Sequence, residues 1–128
     1  MRRPFLLALL LAAPLLHARP APAQDASAGQ RVFGQCRACH AVEAGARSGV
    51  GPNLHGVAGR RAASIEGFRY SADMRARAEG GLTWDDATLR AYLANPKAVV
   101  PNGTMAYPGL RNEAQLNDLM AYLATLAP

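Results

Sequence analysis

The sequence predicts an all-α protein of about four helices joined by long loops. Leu89, Tyr92 and Leu93, and again Leu116, Leu119, Met120, Leu123 and Leu126, recur at the i, i+3, i+4 spacing that gives a helix one apolar face. Between these helical patterns the chain is punctuated by glycine and proline, the residues of turns and loops. No stretch alternates apolar and polar residues as a half-buried strand would, and no internal repeat stands out.

The chain opens on Met1-Arg2-Arg3, followed by an apolar run of 12 residues from Phe5 to Leu16 broken only by Pro14. Ala21 and Ala23 then present small side chains at the two positions a signal peptidase reads. This reads as a secretory signal peptide over residues 1–23, cut after Ala23. The apolar run is short for a bilayer, so no stable membrane insertion is expected after cleavage. Residues 24–128 form one domain, expected in the periplasm as a monomer.

Export changes the charge argument. The whole chain carries 14 Lys+Arg against 9 Asp+Glu, but Arg2, Arg3 and Arg19 leave with the leader, so the mature net charge is +2. No dense basic run is interleaved with aromatics, which argues against nucleic acid as a partner. Arg60, Arg61, Arg69, Arg75 and Arg77 cluster in the middle of the chain, either as a solvated face or as a docking patch for an acidic partner. A domain of this size with only eight aromatic residues in the whole chain has a marginal core, and a large apolar cofactor would complete it.

Within the domain, Ser27 is expected to cap a first helix running to about Gln35, with Val32 and Phe33 on its apolar side. The stretch from Ala44 to Arg61 is glycine-rich and aperiodic, a long loop of the kind that usually serves function. A short helix fits between Ser71 and Ala78, stopped by Gly80-Gly81. Thr83, with Asp86 three residues on, resembles a capping box that opens the next helix, and Pro96 closes it. Val99 to Leu110 is again loop. Asn112, with Gln115 three residues on, caps a last helix to about Leu126.

The chemistry sits at Cys36-Arg37-Ala38-Cys39-His40, where the first helix ends. Two cysteines three positions apart, the second followed by histidine, form the attachment signature of c-type haem. Each thiol can form a thioether to one vinyl group, and His40 can ligate the iron. A thioredoxin-like pair would need a βαβ setting, and a structural zinc would need four ligands. Beyond this motif the mature chain offers only His55, and adjacent Cys39 and His40 cannot readily chelate one tetrahedral ion.

The second axial position narrows by elimination. Met120 lies in the apolar stripe of the last helix, and Met74 lies in a short polar helix between Asp73 and Arg75. His55 reads as a structural or surface histidine. Met105 lies in a Pro/Gly-punctuated loop able to lay its backbone over a ring, and is the expected ligand. The rival readings are a haem enzyme or gas-binding protein with an open distal site, and the electron-accepting subunit of a periplasmic dehydrogenase.

Taken in order, these landmarks resemble a class I c-type cytochrome of the mitochondrial cytochrome c and bacterial cytochrome c2 kind. The residues from Gly51 to Arg60 are similar to that family's loop after the haem histidine. Trp84, the segment Tyr92-Leu93-Ala94-Asn95-Pro96-Lys97, then Pro101 and Met105 follow in the family's order. The resemblance implies the small cytochrome c fold wrapped around one covalent haem c, and an electron carrier rather than an enzyme. Its partners would be redox proteins, whether membrane or periplasmic oxidases, reductases or dehydrogenases, met transiently.

By the same resemblance His40 and Met105 are the axial ligands, and the Pro52 carbonyl holds the ring N–H of His40. Arg60, Tyr70 and Trp84 match positions that bond or neutralise haem propionates. Tyr92 matches the tyrosine beside the methionine sulfur. Gly29, Phe33, Leu119 and Tyr122 match the crossing of first and last helices. Thr104 matches the family's threonine as a propionate partner, but two departures stand out: Pro101-Asn102-Gly103-Thr104-Met105 displaces that threonine by one position, and Lys97 is the only lysine where the family rings the haem edge with several.

Overall fold

The computed structural model describes residues 24–126, so the expected leader at 1–23 lies outside the described residues. Among the described residues there are five α-helices: α1 (Ala26–Val32), α2 (Ala72–Glu79), α3 (Asp86–Ala94), α4 (Pro96–Val99) and α5 (Glu113–Ala124). A 3-10 turn, Phe33–Gln35, carries α1 into the cysteine motif. Among the described residues the only β pairing is an isolated bridge between Arg61 and Thr83.

The helix starts differ from local expectation at two places. α1 is capped by Asp25, not Ser27: the Asp25 carboxylate accepts from the backbone N–H groups of Ser27 and Ala28 at 2.8 and 3.1 Å. The Ser27 hydroxyl is itself a donor to that carboxylate. α3 is capped by Asp85, which accepts from Thr88 N–H at 2.8 Å, because Thr83 is already committed to the bridge with Arg61. The last helix begins as expected, with Asn112 accepting from Gln115 N–H at 3.0 Å. Pro96 does end α3, but it also opens α4, a single turn placed where loop is expected. Proline is well suited to a first helical position, where its missing N–H has no intrahelical partner to lose.

α1 crosses α5 so closely that no side chain fits at the crossing. A Cβ on Gly29 would lie 1.9 Å from the Asp118 carbonyl oxygen and 2.8 Å from Tyr122 Cβ. Phe33 packs its ring on Tyr122 with centroids 5.4 Å apart. Gly29→Ala therefore forces two backbones apart and is expected to cost at least ~2 kcal/mol. A urea titration followed by far-UV circular dichroism checks this; an unchanged midpoint would contradict the crossing.

The α1–α5 pair is one part of a single apolar core, built with Leu116, Leu119, Met120 and Leu123. The rest of that core comes from Val57, Ala62, Met74, Ala78, Trp84, Leu89, Val100 and Leu110. Met74 is thus a core residue despite its polar neighbours. A short antiparallel contact brings the long loop to the start of α3: Gly59 N–H donates to the Trp84 carbonyl and Trp84 N–H to the Arg60 carbonyl, both at 2.8 Å. Arg60 and Trp84 are thereby set side by side. No helix among the described residues is long and apolar enough to cross a membrane.

Candidate functional site

The cysteine motif is one helical turn. Cys39 N–H and His40 N–H both donate to the Cys36 carbonyl at 3.1 Å. Residues three and four apart on such a turn share a face, so Cys36, Cys39 and His40 are presented together. Both thiols are free, with Cys39 exposed and Cys36 partly buried, and burial pushes the Cys36 thiol up from its ordinary value.

His40 is held on its far side by the long loop. Its Nδ1 donates to the Pro52 carbonyl at 2.7 Å, which fixes the tautomer and leaves the Nε2 lone pair as the available ligand. Gly51 makes this approach possible, since a Cβ there would lie 2.2 Å from His40 Cε1. The loop is itself pinned by Asn53, a buried polar residue that sequence reasoning passed over as a functional position. Its amide donates to the carbonyls of Glu43 and Ala46 at 2.9 and 2.8 Å, and its oxygen accepts from His55 N–H at 2.8 Å. Only the folded loop reveals these partners. His55 contributes structurally as well, its Nδ1 donating to the Val42 carbonyl at 3.2 Å.

On the other side, the Tyr92 hydroxyl points at Met105 Sδ from 4.0 Å, and the Tyr92 and Trp84 rings lie 4.7 Å apart. Burial raises the Tyr92 phenol above its ordinary value, so it stays a protonated donor at neutral pH. Arg60 gives Nη1 to the His55 carbonyl at 2.8 Å and Nη2 to the Asn53 carbonyl at 3.1 Å. Its Nε is buried and has no hydrogen-bond partner among the described residues. Burial also pushes the Arg60 guanidinium down and the Tyr70 phenol up, while each pulls the other partly back. Tyr70 accepts from Ile65 N–H at 3.1 Å, leaving its own proton free to donate.

A buried cationic N–H without an acceptor beside a phenol with an unspent proton fits a carboxylate-bearing group, as a haem propionate is. Thr104 stands apart: it is exposed. The middle arginines are mostly occupied by the fold. Arg61 and Arg75 donate to the carbonyls of Ala78 and Tyr70, and Arg77 pairs with Asp73. No group of three or more His, Cys, Asp or Glu among the described residues is arranged to hold a metal ion without a cofactor.

A family model described as cytochrome c matches residues 26–127. The chain belongs to the cytochrome c family. It is 49% identical over 102 residues to cytochrome c2 of Rhodoblastus acidophilus, a match covering 80% of this chain and 92% of that one. Cytochrome c2 of Rhodomicrobium vannielii is 45% identical over 119 residues, 93% of each chain. Among solved structures, cytochrome c2 from Rhodospirillum centenum superposes with a TM-score of 0.76 at 35% identity, covering 81% of this chain and 99% of that one. Cytochrome cH from Methylobacterium extorquens gives 0.71 at 41% identity, covering 79% and 98%.

The all-helical architecture is thus that of a small cytochrome c. This cytochrome is an electron-transfer protein serving redox partners, not an enzyme, and it carries one covalent haem c whose attachment motif Cys36-Arg37-Ala38-Cys39-His40 fits.

Proposed function

We propose that the chain is an exported electron carrier of the periplasm whose two axial positions are both filled from within. His40 Nε2 would take one side and Met105 Sδ the other, with thioethers to Cys36 and Cys39. When bound, the haem supplies a one-electron iron couple, and a thioether ligand favours its reduced form over two imidazoles. The protein's part is to hold, orient and shield. Pro52 keeps the imidazole in one tautomer, Tyr92 offers its proton to the methionine sulfur, and Arg60 with Tyr70 and Trp84 receives the propionates. With His40 and Met105 both engaged, no position would be left for a substrate, and the haem would supply single-electron transfer to partners met briefly.

The observation that carries this reading is the Met105 sulfur, met by the Tyr92 hydroxyl at 4.0 Å on a loop tied to two helices. A methionine so held suits a permanent ligand, whereas an enzyme would leave that position open. Export rests on the leader sequence, with residues 24–128 as the mature domain. Its modest charge of +2 implies electrostatic steering that is weak and fades with salt. Oxidised and reduced spectra with a potential titration test the ligation. Ready CO binding by the reduced protein would overturn it.

A further inference from the structure

The Met105 loop is a tight turn held across the fold by one carboxylate. Gly103 N–H donates to the Val100 carbonyl at 3.0 Å, closing a four-residue turn with Pro101 at its second position. Such a turn uses the N–H of its fourth residue and leaves that of its third, Asn102, without an internal acceptor. Asp73 on α2 supplies the acceptor: Asn102 N–H donates to Asp73 Oδ2 at 2.8 Å, across 29 positions of sequence. Arg77, one helical turn further along α2, donates from Nε to Asp73 Oδ1 at 3.0 Å, so the two carboxylate oxygens have separate tasks. The Asp73 side chain is only 17% exposed. The turn's other ties are local, from Val100 and from Lys97, whose Nζ donates to the Gly103 carbonyl.

We infer that Asp73 is a positioning residue for the second axial ligand: by holding Asn102 against α2 it limits how far Met105 can swing away. The inference rests on the reading of Met105 as that ligand. Met105 lies three positions beyond the pinned N–H, a reach of at most ~10 Å when extended. Freeing that N–H lets the whole turn lift. Because the Asp73 carboxylate is partly exposed and shared with Arg77, the bond is assigned the ordinary net strength of a hydrogen bond, which alters an opening equilibrium by about three- to tenfold.

The test is imidazole binding to the ferric holoprotein, read by loss of the methionine-to-iron charge-transfer band, beside urea stability. Asp73→Ala is expected to tighten imidazole about three- to tenfold. Arg77→Ala keeps the Asn102 bond, and Asp85→Ala removes only the α3 cap on Thr88 N–H; both should stay within twofold of the parent. Asp73→Asn retains an oxygen acceptor and should fall between the parent and Asp73→Ala; it also serves if the alanine variant does not fold. The inference is overturned if Asp73 variants bind imidazole as the parent does, or if Asp85→Ala tightens it equally. A parent protein without the charge-transfer band would instead refute Met105 as the ligand.

Discussion

Met105→Ala is expected to leave haem covalently attached while opening the iron. The thioethers and His40 lie on a separate turn of the chain, so attachment should survive. Three changes should appear together: loss of the methionine-to-iron band, rapid CO binding by the reduced protein, and a lower reduction potential. Because thioether sulfur favours Fe(II), the potential should fall by on the order of 0.1 V or more, within the ~0.8 V that axial ligation spans. Met74→Ala is the matched control. Met74 is buried in the core beside α2's other buried residue, Ala78, so its truncation should cost about 2 kcal/mol or more yet leave spectrum and potential in place. If Met74→Ala changes the spectrum and Met105→Ala does not, the ligand assignment fails.

Replacing both Cys36 and Cys39 with serine is expected to have the larger effect on the fold. Without thioethers the haem becomes extractable, and a chain that loses it must close its core with what remains. Among the described residues that core has few large members buried almost completely, Phe33, Leu119 and Val100 chief among them. Trp84, Tyr92, Arg60 and Tyr70 would face a gap, with the Arg60 Nε already short of an acceptor. The haem-free protein should therefore lack a cooperative thermal transition, and far-UV circular dichroism should show reduced helix. A haem-free chain melting cooperatively at the parent's temperature would mean that the side-chain core closes without the haem, contrary to this account.

Much of this was legible because the cysteine motif, the helical periodicity of α3 and α5, and the Asn112 cap are all local patterns. What escaped depended on distant partners. Thr83 looked like a cap until Arg61, far away in sequence, claimed it for a bridge, and Asp85 took over. Asp25 outcompetes Ser27 because one carboxylate can accept two backbone N–H groups and the Ser27 hydroxyl together. Pro96 reads as a stop in any local window, although it also starts α4. Asn53 and Asp73 drew no functional expectation, because their acceptor and donor partners lie on the folded loop and on the Met105 turn. The candidate site residues beyond the cysteine motif rest on ordered landmarks spanning the chain, which that motif alone does not supply.

The central claim is a closed His40–Met105 coordination sphere. The most direct measurement is the far-red spectrum of the purified ferric holoprotein, followed by CO addition after reduction. The account predicts a methionine-to-iron charge-transfer band and no CO adduct at neutral pH. Absence of the band together with prompt CO binding would contradict it.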